Sequence, residues 1–235
     1  MNNILKYWHQ KENEVTLPTT VVFDLDGTLV DSSQDIASAL NLSLNSLDYP
    51  QITLDDVKSR IGMGARALIE QTLAMFGDVR QVDAERLLCL FGQAYAAHIA
   101  DASRPYDGTL DMLANLKNRG LQLGVCTNKP EQLARLLLEK LSMNHFFSAV
   151  TGGDTFAFRK PDPRHLLETI SRLNGSAAHA VLVGDSHIDM ETGAAAFVPT
   201  VAVSFGFTGT PPGAGVVIDH YRDMLSALQN AHQLR

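Results

Sequence analysis

The chain is poor in cysteine, with only Cys89 and Cys126 among 235 residues, too few and too far apart for a disulfide scaffold or a cysteine-rich metal site. It has no apolar run approaching the ~18 residues that read as a membrane span. It also lacks an excess of basic charge. Lys and Arg number 19 against 26 Asp and Glu, and the net charge of −7 excludes a protein whose main face serves nucleic acid or an anionic membrane. Met1 to Thr20 mixes Lys6, His9, Lys11, Glu12 and Glu14 with short apolar pieces, so it offers no signal-peptide core. With 45% hydrophobic and 19% charged residues, the composition is that of an ordinary globular protein. The expectation is a cytoplasmic protein without nucleic-acid or membrane partners. Its length suits one core domain carrying an insertion.

The apolar runs are informative because they do not alternate. Thr20-Val21-Val22-Phe23, Leu121 to Cys126, Ala180 to Gly184 and Thr200 to Val203, with a weaker run at Phe146 to Val150, read as strands buried on both faces, hence a parallel sheet. Between them lie helical stripes: Leu110, Leu113 and Leu116; Leu133, Leu136, Leu137 and Leu141; Leu166, Leu167, Ile170 and Leu173. Strand–helix alternation predicts right-handed crossovers and an α/β, doubly wound, mostly parallel sheet. From Gln34 to Ala102 the alternation stops, and only helical stripes remain, such as Ile36, Leu40, Leu44 and Leu47. The expected domains are therefore an α/β core over 19–33 and 103–235, an inserted all-helical cap over 34–102, and an N-terminal arm over 1–18. The insertion carries 5 basic and 9 acidic residues and is no basic arm for nucleic acid.

In a doubly wound sheet the ligand site lies at the carboxyl ends of the strands. The first strand ends in Asp24-Leu25-Asp26-Gly27-Thr28. If strand geometry persists, the two carboxylates share one side, where they repel unless a cation sits between them or one is protonated. Taken alone, the motif also reads as a turn after a strand. The second full strand ends in Thr127-Asn128, with Pro130 opening a helix. The strand at Ala180 to Gly184 runs into Gly184-Asp185-Ser186-His187-Ile188-Asp189, and Lys160-Pro161-Asp162-Pro163 holds a lysine between prolines. Four carboxylates, a lysine, a threonine and free backbone N–H groups at one crevice describe a Mg²⁺ site facing a phosphoryl group.

In these four motifs, and in the helical insertion between the first and second, the sequence resembles the haloacid dehalogenase superfamily of phosphatases. Val30-Asp31-Ser32-Ser33, Ile61-Gly62-Met63-Gly64-Ala65-Arg66, Thr127-Asn128-Lys129-Pro130 and Gly152-Gly153-Asp154-Thr155 resemble its phosphoglycolate phosphatase branch. The resemblance implies a Mg²⁺-dependent phosphomonoester phosphatase working through an aspartyl-phosphate. Asp24 is then the nucleophile and Asp26 the general acid and base. Mg²⁺ is held by Asp24, the Asp26 carbonyl and Asp185, with Asp189 close by. Lys160, Thr127 and the N–H groups of Leu25, Asp26 and Asn128 take the phosphate.

In the cap, the loop Gly62-Met63-Gly64 with Arg66 reads either as a break between helices or as a receptor for a small anionic leaving group over the crevice. Lys58 and Arg60 suit the same task or solvent. The implied partner is a small phosphorylated metabolite, 2-phosphoglycolate before sugar or amino-sugar phosphates, acted on by a monomer or homodimer. A phosphomutase and a non-catalytic binding protein on the same fold are the other readings. Phe205-Gly206-Phe207 and the Pro/Gly-rich stretch Thr208 to Gly215 depart from the branch. Hinges are expected near Asp31 to Ser33 and Ala102 to Pro105, with the cap closing to exclude water.

Overall fold

The computed structural model describes residues 17–77 and 81–234. Most of the expected N-terminal arm, residues 1–16, lies outside the described residues. Six parallel strands form one sheet: β1 (Thr20–Phe23), β4 (Gln122–Cys126), β5 (Ala149–Thr151), β6 (Ala180–Gly184), β7 (Thr200–Val203) and β8 (Val216–Ile218). The order across the sheet is β5-β4-β1-β6-β7-β8, so β1 is central and the chain winds outward to either side of it. Val21, Val22 and Phe23 are wholly buried, as are Val181, Leu182 and Val183 beside them. Helices cover both faces of such a sheet, so no polar residue is needed between the apolar ones. The weak run at Phe146 to Val150 is shorter than its sequence suggests. The strand begins at Ala149, and Asn144–Phe146 forms a short 3₁₀ turn.

A two-residue antiparallel ribbon, β2 (Val30–Asp31) with β3 (Arg104–Pro105), leads out of the sheet and back. Between its strands run α1 (Ser33–Asn45), α2 (Leu54–Lys58), α3 (Ala65–Met75) and α4 (Gln81–Ala97), with no strand among the described residues of this stretch. Asp35, in the first turn of α1, closes the insert at its base. Its buried carboxylate accepts from Ala102 N at 2.9 Å and from Ser103 N and Oγ at 2.7 Å each. The core helices are α5 (Thr109–Asn118), α6 (Glu131–Lys140), α7 (Pro163–Arg172), α8 (His187–Ala196) and α9 (Met224–Gln233). The insert shares one apolar core with the sheet. Leu40, Leu44, Leu73, Leu87 and Tyr95 belong to the same buried cluster as Phe23, Leu25 and Val125. No described helix is long and apolar enough to cross a membrane.

Candidate active site

The carboxyl ends of β1, β4 and β6 place Asp24, Thr127 and Asp185 side by side, each nearly inaccessible to solvent. Asp24 leaves β1 with its N–H still bonded to Val183 O, so strand register fixes where its side chain points. Its Oδ1 accepts from its neighbour Leu25 N at 2.7 Å and lies 3.0 Å from Lys160 Nζ. This leaves Oδ2 without a hydrogen-bond donor among the described residues. Lys160 also donates to Asp189 Oδ1 at 2.7 Å. Asp189 is held in turn by Ser186, whose N and Oγ donate to Oδ2 in a capping box that opens α8. Asp185 accepts from Thr28 Oγ1 at 2.9 Å and from Phe207 N at 3.2 Å.

Two glycines make this crowding feasible. Gly27 has φ +83°, and a Cβ there would stand 2.3 Å from Asp185 Oδ2. A Cβ on Gly206 would meet Asp185 Cβ, also at 2.3 Å. The Phe205-Gly206-Phe207 stretch thus supplies both the room and one N–H for Asp185.

Asp26 faces a different partner. Lys129 Nζ donates to its Oδ1 and Oδ2 at 2.9 and 3.0 Å and to Tyr95 Oη, on α4, at 2.7 Å; Ser32 Oγ also donates to Asp26 Oδ1. The sequence alone singles out neither Lys129 nor Tyr95 as a site residue. Lys129 had a signal, since it follows Thr127-Asn128 at a strand end. Tyr95 had none beyond its place in an apolar helical stripe.

These surroundings shift the titration of the buried groups in ways that suit a cation. Burial, more than the charge of Asp189, pushes Asp24 up to about 6, against the pull of Lys160. Burial and the charges of Asp189 and Asp24 push Asp185 up to about 8. Burial pulls the two lysines down, but their carboxylate partners win. Lys129 is raised to about 12 by Asp26, and Lys160 further by Asp189 and Asp24.

Asp24, Asp185 and Asp189 each bring a carboxylate oxygen within 4.8 Å of the others. Four buried or half-buried carboxylates, including Asp26, stand against the two lysines. The excess negative charge and the all-oxygen donor set fit a hard divalent cation.

Above these residues the insert roofs a half-open cavity, with Ile36, Ile61, Ala65, Leu68 and Phe91 as its apolar walls and Asp24, Asp26, Thr127 and Lys129 below. The insert touches the core at Asn128, whose Nδ2 donates to Gly62 O at 3.0 Å and to Lys160 O at 2.9 Å. Gly64 has φ +91°, and a Cβ on it would come 3.0 Å from Asn128 O, so the glycines of this loop permit close docking.

The structure gathers Asp24, Asp26, Thr127, Asn128, Lys160, Asp185 and Asp189, with Gly62 and Gly64 over them. The Leu25 N–H is already engaged by Asp24. Met63 and Arg66 are not brought to the cavity. Arg66 turns to Glu85, 2.7 Å away, on the exposed side of α3, and its side chain is 46% accessible. Arg60 is occupied with Asp56, and Lys58 does not line the cavity.

Residues 21–203 match the family model of the haloacid dehalogenase-like hydrolases. The chain is 41% identical over 216 residues to a phosphoglycolate phosphatase of Agrobacterium fabrum, covering 90% of this chain and 93% of that protein. It is 43% identical over 191 residues to a phosphoglycolate phosphatase of Mesorhizobium japonicum, covering 80% and 83%. In three dimensions it resembles a predicted phosphoglycolate phosphatase from Haemophilus somnus, with a TM-score of 0.81, 25% identity, and 90% and 98% of the two chains covered.

Proposed function

The chain belongs to the haloacid dehalogenase-like hydrolases and is a phosphatase of that family, and from this premise we propose that its substrate is 2-phosphoglycolate. The observation that carries the choice of substrate is the cavity. Apart from the Tyr95 hydroxyl and the Gly62 carbonyl its insert-side walls are apolar, offering few groups to the several hydroxyls of a sugar. A two-carbon leaving group leaves less polar surface unmatched there than a sugar does.

In the proposed reaction, Asp24 Oδ2 attacks phosphorus in line with the ester oxygen. The P–O bond to the leaving group breaks as the aspartyl-phosphate bond forms. Asp26, protonated for this step, gives its proton to the departing alkoxide, which leaves as the alcohol. Asp26 then takes a proton from water. The hydroxide attacks the phosphoryl group, inorganic phosphate leaves, and the Asp24 carboxylate is restored.

Lys160, 3.0 Å from Asp24, offsets the repulsion between the nucleophile and the phosphate oxygens. Thr127 and the N–H groups of Asp26 and Asn128 bind those oxygens, and the Leu25 N–H, engaged by Asp24 in the free protein, joins them once the phosphoryl group draws Asp24 away. Asp24, Asp185, the Asp26 carbonyl and nearby Asp189 would hold Mg²⁺, which when bound supplies positive charge against the phosphoryl oxygens. Residues 34–102 act as a cap that opens for exchange and closes to exclude water, hinged on the β2–β3 ribbon.

The test is phosphate release by the purified protein with Mg²⁺ from 2-phosphoglycolate, hexose phosphates and nucleoside monophosphates. The highest kcat/KM is expected for 2-phosphoglycolate, with activity abolished by EDTA and restored by Mg²⁺. A higher kcat/KM for a hexose phosphate refutes the choice of substrate.

A further inference from the structure

Besides a phosphate, the proposed substrate carries a carboxylate, and the cavity that would receive it already contains Asp24 and Asp26. A second anion confined there is costly unless a cation meets it. Arg66, the sequence candidate for that task, is committed to Glu85 outside. Among the described residues that line the cavity, Lys129 is the one cation. Its side chain is only 4% accessible, and it stands against the Tyr95 ring at 4.4 Å from the centroid.

The protons on this pair are not all used. An ammonium has three. All three have acceptors, the two Asp26 oxygens at 2.9 and 3.0 Å and Tyr95 Oη at 2.7 Å, so an arriving carboxylate shares the ammonium with them and the spare proton is that of the Tyr95 hydroxyl. Tyr95 accepts from Lys129, and burial pushes its phenol up to about 12, so it keeps its own proton. Among the described residues nothing accepts that proton. Two donors therefore stand together beside Asp26.

Position favours the same reading. To be protonated by Asp26, the leaving oxygen must come within about 3 Å of that carboxyl. In a phosphorylated 2-hydroxy-acid skeleton the carboxylate is two bonds further on. It then falls beside the groups hydrogen-bonded to Asp26, which are Ser32 and Lys129, and of these two Lys129 carries charge and lines the cavity.

We propose that Lys129, together with the Tyr95 hydroxyl, receives the carboxylate of the leaving group and selects phosphate esters of small carboxylic acids. This rests on the phosphoglycolate reading and names the side chains behind it. It also places one half of the receptor on the core and the other on α4, so a carboxylate bridges the two when the cap is closed.

The decisive quantity is the ratio of kcat/KM for 2-phosphoglycolate to that for ethyl phosphate, which keeps the two-carbon skeleton and lacks the carboxylate. In the unaltered protein the ratio should exceed one by a wide margin. In Lys129→Met it should fall about 10- to 100-fold, the worth of a charge-assisted hydrogen bond. In Tyr95→Phe it should fall about 3- to 10-fold, and Lys129→Arg should keep much of it. Inhibition by glycolate should weaken in the same order.

Equal losses on both esters, with the ratio unchanged, overturn the proposal and leave Lys129 only the task of holding Asp26. If the unaltered protein does not favour 2-phosphoglycolate over ethyl phosphate, the substrate reading fails first and the receptor with it. Should Lys129→Met fail to fold, as judged by circular dichroism, the ratio in Tyr95→Phe decides, and an unchanged ratio there refutes the proposal.

Discussion

At the strand ends, Asp24, Asp26, Asp185, Asp189, Lys129 and Lys160 are packed so that every carboxylate touches a lysine, a hydroxyl or a backbone N–H. Across the cavity, the insert presents Ile36, Ile61, Ala65, Leu68 and Phe91, and it joins the polar network chiefly through Gly62 O and Tyr95 Oη. Floor and roof thus do different work. The floor concentrates like charges that are tolerable only with cations between them. The roof removes water, which lowers the local dielectric and strengthens every interaction below it. On the proposed reading the chemistry belongs to the floor and the selection to Lys129 and Tyr95, where the two meet.

If that division holds, substitutions in the floor should cost rate, those at the base of the insert should cost stability, and those on its outer face almost nothing. Asp24→Asn should reduce kcat by on the order of 10⁴-fold or more, since an amide cannot accept the phosphoryl group. Its circular dichroism spectrum should be unchanged, because one repelling charge is removed and Lys160 keeps Asp189. Measurable burst formation of product in this variant would count against Asp24 as the nucleophile. Asp26→Asn should slow the reaction about 10²- to 10⁴-fold in single-turnover experiments. A near-normal rate would take Asp26 out of the proton transfer.

At the base of the insert, Asp35→Ala should lower unfolding free energy by about 2–3 kcal/mol in urea titrations, because Ala102 N and Ser103 N lose their acceptor. An unchanged midpoint would show that this anchor is dispensable.

Beneath the floor, His165 is buried, and burial, helped by the charge of Lys160, lowers its pKa to about 4. In the unfolded chain it titrates near 6.5. The folded state therefore binds fewer protons between about 4 and 6.5, and the associated stability is lost as pH falls through that window. The loss should be about 3 kcal/mol, and it should vanish in His165→Phe if that variant folds. A pH dependence identical to that of the unaltered protein would sink this assignment.

The smallest effect is expected at Arg66→Ala, with kcat/KM changed less than about 2-fold and the midpoint of urea unfolding hardly moved, as for an exposed ion pair. A large loss of 2-phosphoglycolate turnover there would mean that Arg66 swings into the cavity during the cycle, and would break the contrast between the inner and outer faces of the insert.

Much of the floor is legible in the sequence because it is local. Asp24, Thr127 and Asp185 each directly follow a short apolar run, and a parallel strand buried on both faces has to end there. Strand β8 is less legible. Its three residues, Val216–Ile218, follow a Pro/Gly-rich loop and have too little length to show a period. The role of Gly206 is invisible from sequence for another reason, since the group it makes room for, Asp185, lies in a different strand–helix unit.

By itself the sequence determined the α/β alternation, the helical insertion, and which polar residues stand at strand ends, because backbone periodicity sets these within a few residues. Only the tertiary structure decided that Lys129 reaches Asp26 and Tyr95 while Arg66 turns outward to Glu85. The reason is rotational. Which faces of α3 and α4 meet the sheet is set by the packing of the whole insert, so that angle turns Arg66 to solvent and Tyr95 to the site, where Lys129 meets it from the loop before α6.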